Sequence, residues 1–370
     1  MADHRRWLLR SLAVAALAVA AVAGFNAAVD PWGLLQWRRL PGINQAKPRV
    51  ADYDRLHKAH ALRRLHPATV ILGSSRAEAG LRPEHPSLPQ PAYNLGLPNA
   101  RIGELRAFLE AAHAAGPVRR AVLALDFFAF GADAGAGAAV LRDAASPWRR
   151  PLPFLTLAMT GDSLGTIADQ RRGAPDFLSP SGQSTPEFWK RLIEKSGGPP
   201  GIFRMDRDQY EKGMYRFAPG GFAGPAGRRP LEEFRRLLAF AARQGIALSV
   251  LVSPGHAEDM AVIGRLGLWP LYEEWKRALV AALAEAGGGQ PLWDFSGCHA
   301  YAREDYRSGR PLRWWYGAAH YAPALGDLML DRLAGGGDPA FGVPLRPDNV
   351  EAALAAMARG QGACGGAAAG

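Results

Sequence analysis

The stretch PATVILGSSRAEAGL, residues 67–81, contains two adjacent serines, and one of them could be a catalytic nucleophile. The apolar run 69–72 predicts a buried strand, which places Ser75 in the turn before a helix. Its hydroxyl could act there as a nucleophile, provided that a base takes its proton and backbone N–H groups hold the oxyanion. The structural alternative is a helix cap, because Ser75 and Glu78 fit the Ser-x-x-Glu capping box.

His320 is the candidate base for this serine. It stands in RWWYGAAHYAPALGDLML, after an aromatic turn and before a helix that starts near Pro323 or Ala324. A histidine beside Trp and Tyr could instead be a packed, hydrogen-bonded residue, and only its pairing with Ser75 favours a catalytic role.

The histidines do not form a metal-binding pattern. His256, His299 and His320 show no HxxxH or HxH spacing, even when Asp294 is added as a ligand. The two cysteines of the chain form no CxxC motif. We therefore predict neither a metal nor a cofactor.

The elements that must position these residues follow an alternating pattern. Runs rich in β-branched residues alternate with segments of helical period, which predicts an α/β fold with a mainly parallel sheet and helices on its faces. The predicted strands are 69–72, 92–95, 121–126, 247–252 and 291–295. Ligands of such sheets bind beyond the carboxyl ends of the strands. The candidates at those ends are Ser74, Ser75, Arg76, Asn94, Gly96, Asp126, Ser253, His256 and Asp294.

The N-terminus predicts a membrane anchor. Residues 11–29 form a 19-residue apolar run, long enough to cross a bilayer as a helix and contact its lipids. Arg5, Arg6 and Arg10 precede this run, which orients the N-terminus towards the cytoplasm. A cleaved signal peptide is the alternative, because Ala-Val-Ala precedes Gly24. Since the apolar run continues past that site, we predict a single-pass protein of a bacterial inner membrane with its C-terminal domain in the periplasm.

Composition and charge narrow the class of partner. Of 370 residues, 48% are hydrophobic, enough for a full core, and the formal net charge is +10. Lys and Arg are scattered, and the chain contains no zinc-finger, recognition-helix or RNA-binding motif. We predict no nucleic-acid partner, and the positive charge favours anionic lipid headgroups or acidic glycans.

Pro- and Gly-rich stretches divide the chain. Residues 1–30 form a cytoplasmic stub and anchor, 31–48 a connector, and 49–345 the folded domain. Within that domain, 131–229 interrupts the alternation and is predicted to be an insertion that acts as a lid or packs as a subdomain. Residues 346–370 predict a flexible tail.

A series of short motifs resembles one known family. ILGSSRAEAGL, YNLGLPNARIGEL, LALDFFAFG, SPGHAE, WDFSG and HYAPALGDLML, in this order behind an N-terminal anchor and DPWG, look like the membrane-anchored branch of the SGNH/GDSL hydrolase superfamily. The resemblance spans residues 30–333 and implies a flavodoxin-like three-layer α/β/α fold. It also implies an esterase, or an O-acetyl transferase or esterase that acts on cell-envelope polysaccharides.

The resemblance gives roles to individual residues. Ser75 matches the nucleophile, with Ser74 where the commoner pattern has Asp. His320 matches the general base, and Gly96 matches the glycine whose N–H helps to hold the oxyanion. Arg76 could bind an anionic group of a glycan, or could form an internal ion pair, for which Glu104 is a natural partner. The predicted substrate-binding set comprises Arg76, Asn94, Asp126 and His256.

Two departures from the family pattern put catalysis in question. Gly317 stands where an acid usually orients the histidine, and Asp294 and Glu304 are the candidate substitutes. The third motif offers Asp126 where an asparagine usually donates to the oxyanion. We therefore predict a serine-dependent acyl-ester hydrolase or O-acetyltransferase acting on an envelope glycan. The alternative is a weak or inactive protein that binds a glycan or an assembly partner.

Overall fold

Two compact units make up the chain. The computed structural model describes residues 2–131, 137–218, 220–222 and 224–365. Within these ranges, the unit that we call the N-terminal unit falls in Met1–Ala61 and Ala139–Leu178, and the unit that we call the sheet unit falls in Leu62–Ala138 and Ser179–Gly370.

The sheet unit contains one six-stranded sheet. In chain order its strands are β1 Thr69–Ser74, β2 Ala92–Leu97, β3 Arg120–Leu125, β4 Ala247–Val252, β5 Leu292–Asp294 and β6 Val343–Leu345. Their order across the sheet is β2-β1-β3-β4-β5-β6, and only the β5–β6 pair is antiparallel. The prediction of an α/β fold with a mainly parallel sheet is confirmed. The first five strands follow the 2-1-3-4-5 order of one common class of doubly wound sheet.

Thirteen helices are found in the described residues. They are α1 Ala2–Val29, α2 Asp54–Leu65, α3 Ser75–Gly80, α4 Ile102–Ala115, α5 Gly137–Ala145, α6 Leu157–Arg171, α7 Pro186–Lys195, α8 Pro199–Gln209, α9 Pro225–Arg243, α10 Ala257–Arg265, α11 Trp269–Glu285, α12 Pro323–Leu333 and α13 Val350–Gly365. Short 3₁₀ turns cover Pro48–Tyr53, Phe127–Phe130 and Leu152–Leu155, and a π-helical turn covers Tyr210–Met214.

Helices cover the sheet, which explains why its parallel strands are nearly continuous apolar runs. Ile71, Val122 and Leu251 belong to a core cluster that also contains Leu325 and Met329 of α12. A second group of helices, α4, α9 and α11, packs together and against β1, β4 and β5. The sheet is therefore fixed by burial, and its carboxyl-end loops have a rigid base.

The segment 131–229 contributes to both units. α6 belongs to the N-terminal unit, whereas α7 and α8 belong to the sheet unit. Trp189 of α7 and Phe203 of α8 are buried in the core cluster around α12. The described part of this segment contains no strand, and α7 and α8 are packed elements of the sheet unit.

The C-terminal region differs from the predicted flexible tail. β6 pairs with β5, and α13 packs on α11 and β6 with Val350 and Leu354 buried. Alanine-rich sequence favours a helix, and one apolar face is sufficient to hold it in place. Residues 366–370 of the predicted tail lie outside the described residues.

The N-terminal unit is built around the end of α1. Within the described part of the chain, α1 is the one helix long and apolar enough to cross a membrane. After it, Asp30 adopts a left-handed conformation, and its buried carboxylate accepts hydrogen bonds from the N–H groups of Leu34 and Gln36. The same carboxylate lies 2.6 Å from the ammonium of Lys47. A small core follows from these contacts, formed by Trp32, Leu34, Phe154 and Met159.

Candidate active site

The turn between β1 and α3 presents Ser75 and uses Ser74 as the helix cap. Ser74 has an extended backbone, and its Oγ accepts a hydrogen bond from the N–H of Arg76 at 3.1 Å. The cap that the sequence suggested for Ser75 is therefore made by its neighbour. The Ser75 hydroxyl, partly exposed, faces away from this cap.

His320 meets Ser75 across 245 residues of sequence. Its Nε2 lies 3.0 Å from Ser75 Oγ, and the imidazole is 12% exposed. The loop that carries it is tightly closed, because the N–H of Tyr316 donates to the His320 carbonyl and Trp315 bridges to Tyr321. The two residues that the sequence paired are thus within hydrogen-bonding distance.

Asp206 completes the arrangement. Its Oδ2 lies 3.2 Å from His320 Nδ1 and also accepts the N–H of Ala319 at 3.1 Å. The residue is on α8 and is buried. A carboxylate can only accept, so Nδ1 carries the imidazole proton and Nε2 is left to accept the Ser75 O–H. Ser75, His320 and Asp206 form the hydrogen-bonded chain of a Ser-His-Asp triad.

Gly317 leaves the space that Asp206 occupies. A Cβ atom at position 317 would lie 2.3 Å from Asp206 Oδ2, far inside van der Waals contact. The carboxylate beside His320 therefore comes from α8 and not from position 317, where the resemblance implied an acid. Sequence reasoning missed Asp206 because it is in the segment without strands. A signal existed, since Asp206 shares the buried face of α8 with Ile202 and Phe203.

Arg76 points into the interior rather than towards a substrate. Its guanidinium is 2.8 Å from Asp259 Oδ2, donates to the Tyr210 hydroxyl at 3.2 Å, and lies 3.7 Å from Asp126. Burial alone would lower the pKa of Arg76, but Asp259 and the neighbouring Tyr210, Tyr215 and Asp126 hold it well above its usual value. The internal ion pair is present, with Asp259 and not Glu104 as the partner.

Asn94 and Gly96 of β2 pack against α3. The Asn94 amide donates to the carbonyls of Ala77 and Leu81, and its Oδ1 accepts the N–H of Gly96 at 2.7 Å. A Cβ atom at Gly96 would lie 2.6 Å from the N atom of Glu78, so close packing requires glycine there. The N–H that the resemblance assigns to the oxyanion is hence already hydrogen-bonded.

Asp294 and His256 also have structural partners. Asp294, suggested as a substitute acid, binds the buried ammonium of Lys276 at 2.7 Å. His256 caps α10 by accepting the N–H of Glu258, and its Nε2 lies 3.0 Å from the carbonyl of Glu304. Burial lowers the pKa of His256, against the effect of that carbonyl. Neither side chain is therefore available to Ser75 or His320.

Aromatic residues form one wall beside the triad. The Trp189 ring lies 4.8 Å from the imidazole of His320 and stacks on Tyr316 with an interplanar angle of 2°. The Trp189 N–H donates to Ser184. Burial, together with Glu187, raises the pKa of Tyr316 to about 12, so its half-buried phenol stays neutral. Trp189 is buried, so the exposed part of this wall is the uncharged ring of Tyr316.

Among the described residues, no group of three or more His, Cys, Asp or Glu side chains could hold a metal ion. No protein-family model matches the chain, and no curated protein is similar to it at a significant level.

Proposed function

We propose that this protein is a serine-dependent acyl-ester hydrolase or O-acyltransferase, a divergent SGNH-type enzyme whose acid comes from α8. The observation that carries the proposal is the hydrogen-bonded chain from Ser75 through His320 to Asp206. A histidine with a purely structural role would need neither a buried carboxylate at one ring nitrogen nor a partly exposed serine at the other. Those two contacts are what nucleophile activation requires.

The reaction follows from these contacts. As Ser75 Oγ forms a bond to the acyl carbon, its proton passes to His320 Nε2, and Asp206 stabilises the resulting imidazolium. The bond from the acyl carbon to the alcohol oxygen then breaks, and Nε2 returns the proton to that oxygen. Water or a second alcohol next attacks the acyl carbon and gives its proton to His320 Nε2. The bond from that carbon to Ser75 Oγ then breaks, and Nε2 returns the proton to Oγ. We assign the N–H of Ser75, at the start of α3, as a donor to the developing oxyanion.

An envelope glycan in the periplasm is the proposed setting. α1 would cross the inner membrane with Arg5, Arg6 and Arg10 on the cytoplasmic side. Cys298 forms a disulfide, a bond that persists in oxidising compartments such as the periplasm. The half-buried ring of Tyr316, which the buried Trp189 supports by stacking, could contact the apolar face of a sugar ring beside the triad.

The test compares two neighbouring serines in the full chain, held in lipid nanodiscs and supplied with para-nitrophenyl acetate. We expect Ser75→Ala to lower turnover by about 10⁶-fold, the loss typical of a triad nucleophile. Ser74→Ala is the matched control, because it removes only a helix cap worth about 1 kcal/mol and leaves the Ser75 hydroxyl in place. Equal turnover in Ser75→Ala and the unsubstituted protein would reject the proposal.

A second candidate function, a glycan-binding protein with little turnover, is favoured by one observation. Because Asn94 already accepts the N–H of Gly96, an oxyanion at Ser75 has fewer donors than in other serine hydrolases. A fluorophosphonate probe separates the two candidates. Covalent labelling at Ser75 supports the enzyme, whereas no labelling together with retained binding of an acetylated polysaccharide supports the binding protein.

A further inference from the structure

Exposed large apolar side chains are concentrated in the N-terminal unit. Beyond α1, twelve such side chains are found in the described residues, and nine belong to this smaller unit. Trp148 is 85% exposed and Leu157 is 87% exposed, more than any apolar residue of α1. Monomeric soluble proteins rarely expose such groups together, which points to an interaction surface. The nine are Leu35, Trp37, Leu40, Ile43, Trp148, Leu152, Leu155, Leu157 and Leu164.

Part of this surface packs around the last turns of α1. The Asn26 amide donates to the carbonyl of Phe154 at 2.8 Å and to the hydroxyl of Thr160 at 2.9 Å. Its Oδ1 accepts the hydroxyl of Ser163 at 3.0 Å. The 3₁₀ turn Leu152–Leu155 and the start of α6 therefore lie at the same height along α1 as Asn26.

The length of the apolar run sets that height relative to a bilayer. Residues 11–29 give a helix about 28 Å long at about 1.5 Å per residue, while the hydrocarbon core is about 30 Å thick. The whole run of residues 11–29 is therefore needed to cross the hydrocarbon core. Asn26, about 4.5 Å from the end of α1 at Val29, is then inside the outer boundary of the hydrocarbon core. Its buried amide is fully hydrogen-bonded, as that depth requires.

We propose that Trp148, Leu152, Leu155 and Leu157 form a membrane collar that enters the outer leaflet of the bilayer around α1. The proposal rests on α1 being the membrane anchor proposed above. Lipid is the occupant because the surface continues directly from the apolar helix. Tryptophan is enriched at the headgroup level, and Arg149 and Arg150, next to Trp148, suit lipid phosphates. Arg149 is exposed and paired with Asp143 at 3.1 Å.

The test measures the depth of single labels in the full chain. Trp148→Cys, Leu157→Cys, Leu17→Cys on α1 and Val343→Cys on the sheet unit are each labelled with NBD under non-reducing conditions, so that the disulfide of Cys298 stays closed. Each protein is reconstituted into vesicles of phosphatidylethanolamine and phosphatidylglycerol with doxyl quenchers on the acyl chains. The unsubstituted protein, carried through the same labelling, gives the background.

We expect the emission maxima of the labels at 148 and 157 to shift to the blue. A doxyl group at a shallow position on the acyl chain should quench most of their emission. The label at 17 should be quenched best by a deep doxyl group, and the label at 343 should remain in water. A quenched Leu17 site with water-exposed 148 and 157 sites would overturn the collar alone. An unquenched Leu17 site would overturn the anchor with it. Blue-shifted collar labels without lipid quenching would indicate a protein partner and also reject the collar.

Discussion

At the residue scale, three consecutive side chains at the junction of β1 and α3 have three different contacts. Ser74 caps α3, Ser75 faces His320, and Arg76 is held by Asp259 in the interior. The buried ion pair ties α3 to α10, and the cap fixes where α3 begins. Because its neighbours on both sides are fixed, the Ser75 backbone has little freedom to carry the hydroxyl away from the imidazole.

His299 is the residue whose titration should control acid stability. Both of its ring nitrogens are buried without a hydrogen-bond partner among the described residues, and the ring contacts Tyr301 and Phe341. Burial, with a smaller effect of His256 and against that of Asp294, lowers the pKa of His299 from 6.5 to about 4. Folding therefore favours the neutral ring. The stability from this group is complete above pH 6.5 and is lost as the pH falls from 6.5 to about 4, in total roughly 3 kcal/mol.

We expect His299→Phe to flatten the pH dependence of unfolding across this window, because phenylalanine keeps the aromatic contacts and cannot be protonated. Denaturant midpoints at several pH values between 4 and 6.5 measure the effect. At pH 7.5, one unit above the ordinary histidine pKa of about 6.5, the variant should be as stable as the unsubstituted protein. If the unfolding stability of His299→Phe depends on pH as steeply as that of the unsubstituted protein, other groups cause the acid sensitivity.

The sequence predicted Ser75 and His320 but not Asp206, for a physical reason. Strand ends in a parallel sheet converge, so a serine after β1 is placed at a known edge by periodicity alone. The resemblance then selected the histidine. An acid on the apolar face of α8 was the available signal, but it does not say which residue the acid meets, because that depends on how α8 packs against the loop of His320.

At the element scale, α8 supplies what the histidine loop lacks. Gly317, on the loop of His320, has no side chain to offer, and α8 brings a carboxylate to the imidazole from another part of the chain. The π-helical turn after α8 then brings Tyr210 to Arg76. One helix and its turn thus contact both His320 and Arg76, the residue next to Ser75.

Moving the carboxylate from Asp206 on α8 to position 317 on the histidine loop tests whether His320 needs an acid partner. We expect Asp206→Gly to slow fluorophosphonate labelling of Ser75 by roughly 10⁴-fold, as in other triads that lose their acid. Adding Gly317→Asp to that variant should recover part of the rate, because the carboxylate is then offered from position 317 into the space that Asp206 has left. Gly317→Asp alone should be impaired, because its Cβ would lie 2.3 Å from the Asp206 carboxylate.

Circular dichroism and thermal unfolding of the three variants show whether the fold is intact. A folded Asp206→Gly protein that labels at the original rate would show that His320 needs no orienting acid. A merely structural Asp206 would be rescued in stability, but not in labelling rate, by the second substitution.

The elements that were predicted are those with strong local patterns. The strand predicted at 247–252 coincides with β4. β1 and β2 extend two residues further than predicted at the carboxyl end, and β3 and β5 differ from the prediction by one residue at each end. β6 was missed because it is three residues long, contains Pro344 and has only Leu345 buried. α13 was missed because its small residues resemble a flexible tail in composition. Both are stabilised by tertiary contacts, on which local propensity carries no information.

At the scale of the whole molecule, the chain contains two separate sets of buried groups. The sheet unit has an extensive aromatic and aliphatic core, whereas the N-terminal unit has a small core cluster next to the ion pair of Asp30 with Lys47. Burial lowers the pKa of the Lys47 ammonium, and Asp30 is the main group that opposes this effect. The stability of the smaller unit therefore depends on the charge of Asp30, which keeps the buried ammonium of Lys47 paired.

Replacing the Asp30 carboxylate should unfold the N-terminal unit and leave the sheet unit folded. Asp30→Asn keeps a side-chain oxygen for the N–H of Leu34 but leaves Lys47 buried without its carboxylate, at a cost of about 3–5 kcal/mol. We expect hydrogen exchange of α6 amides to accelerate by roughly 10²- to 10³-fold, while amides of β1 and β3 keep their protection. Adding Lys47→Met removes the stranded charge and should restore much of the protection in α6. Equal acceleration in α6, β1 and β3 would mean that the two units unfold as one cooperative structure, and the dependence on this ion pair would then extend to the triad as well.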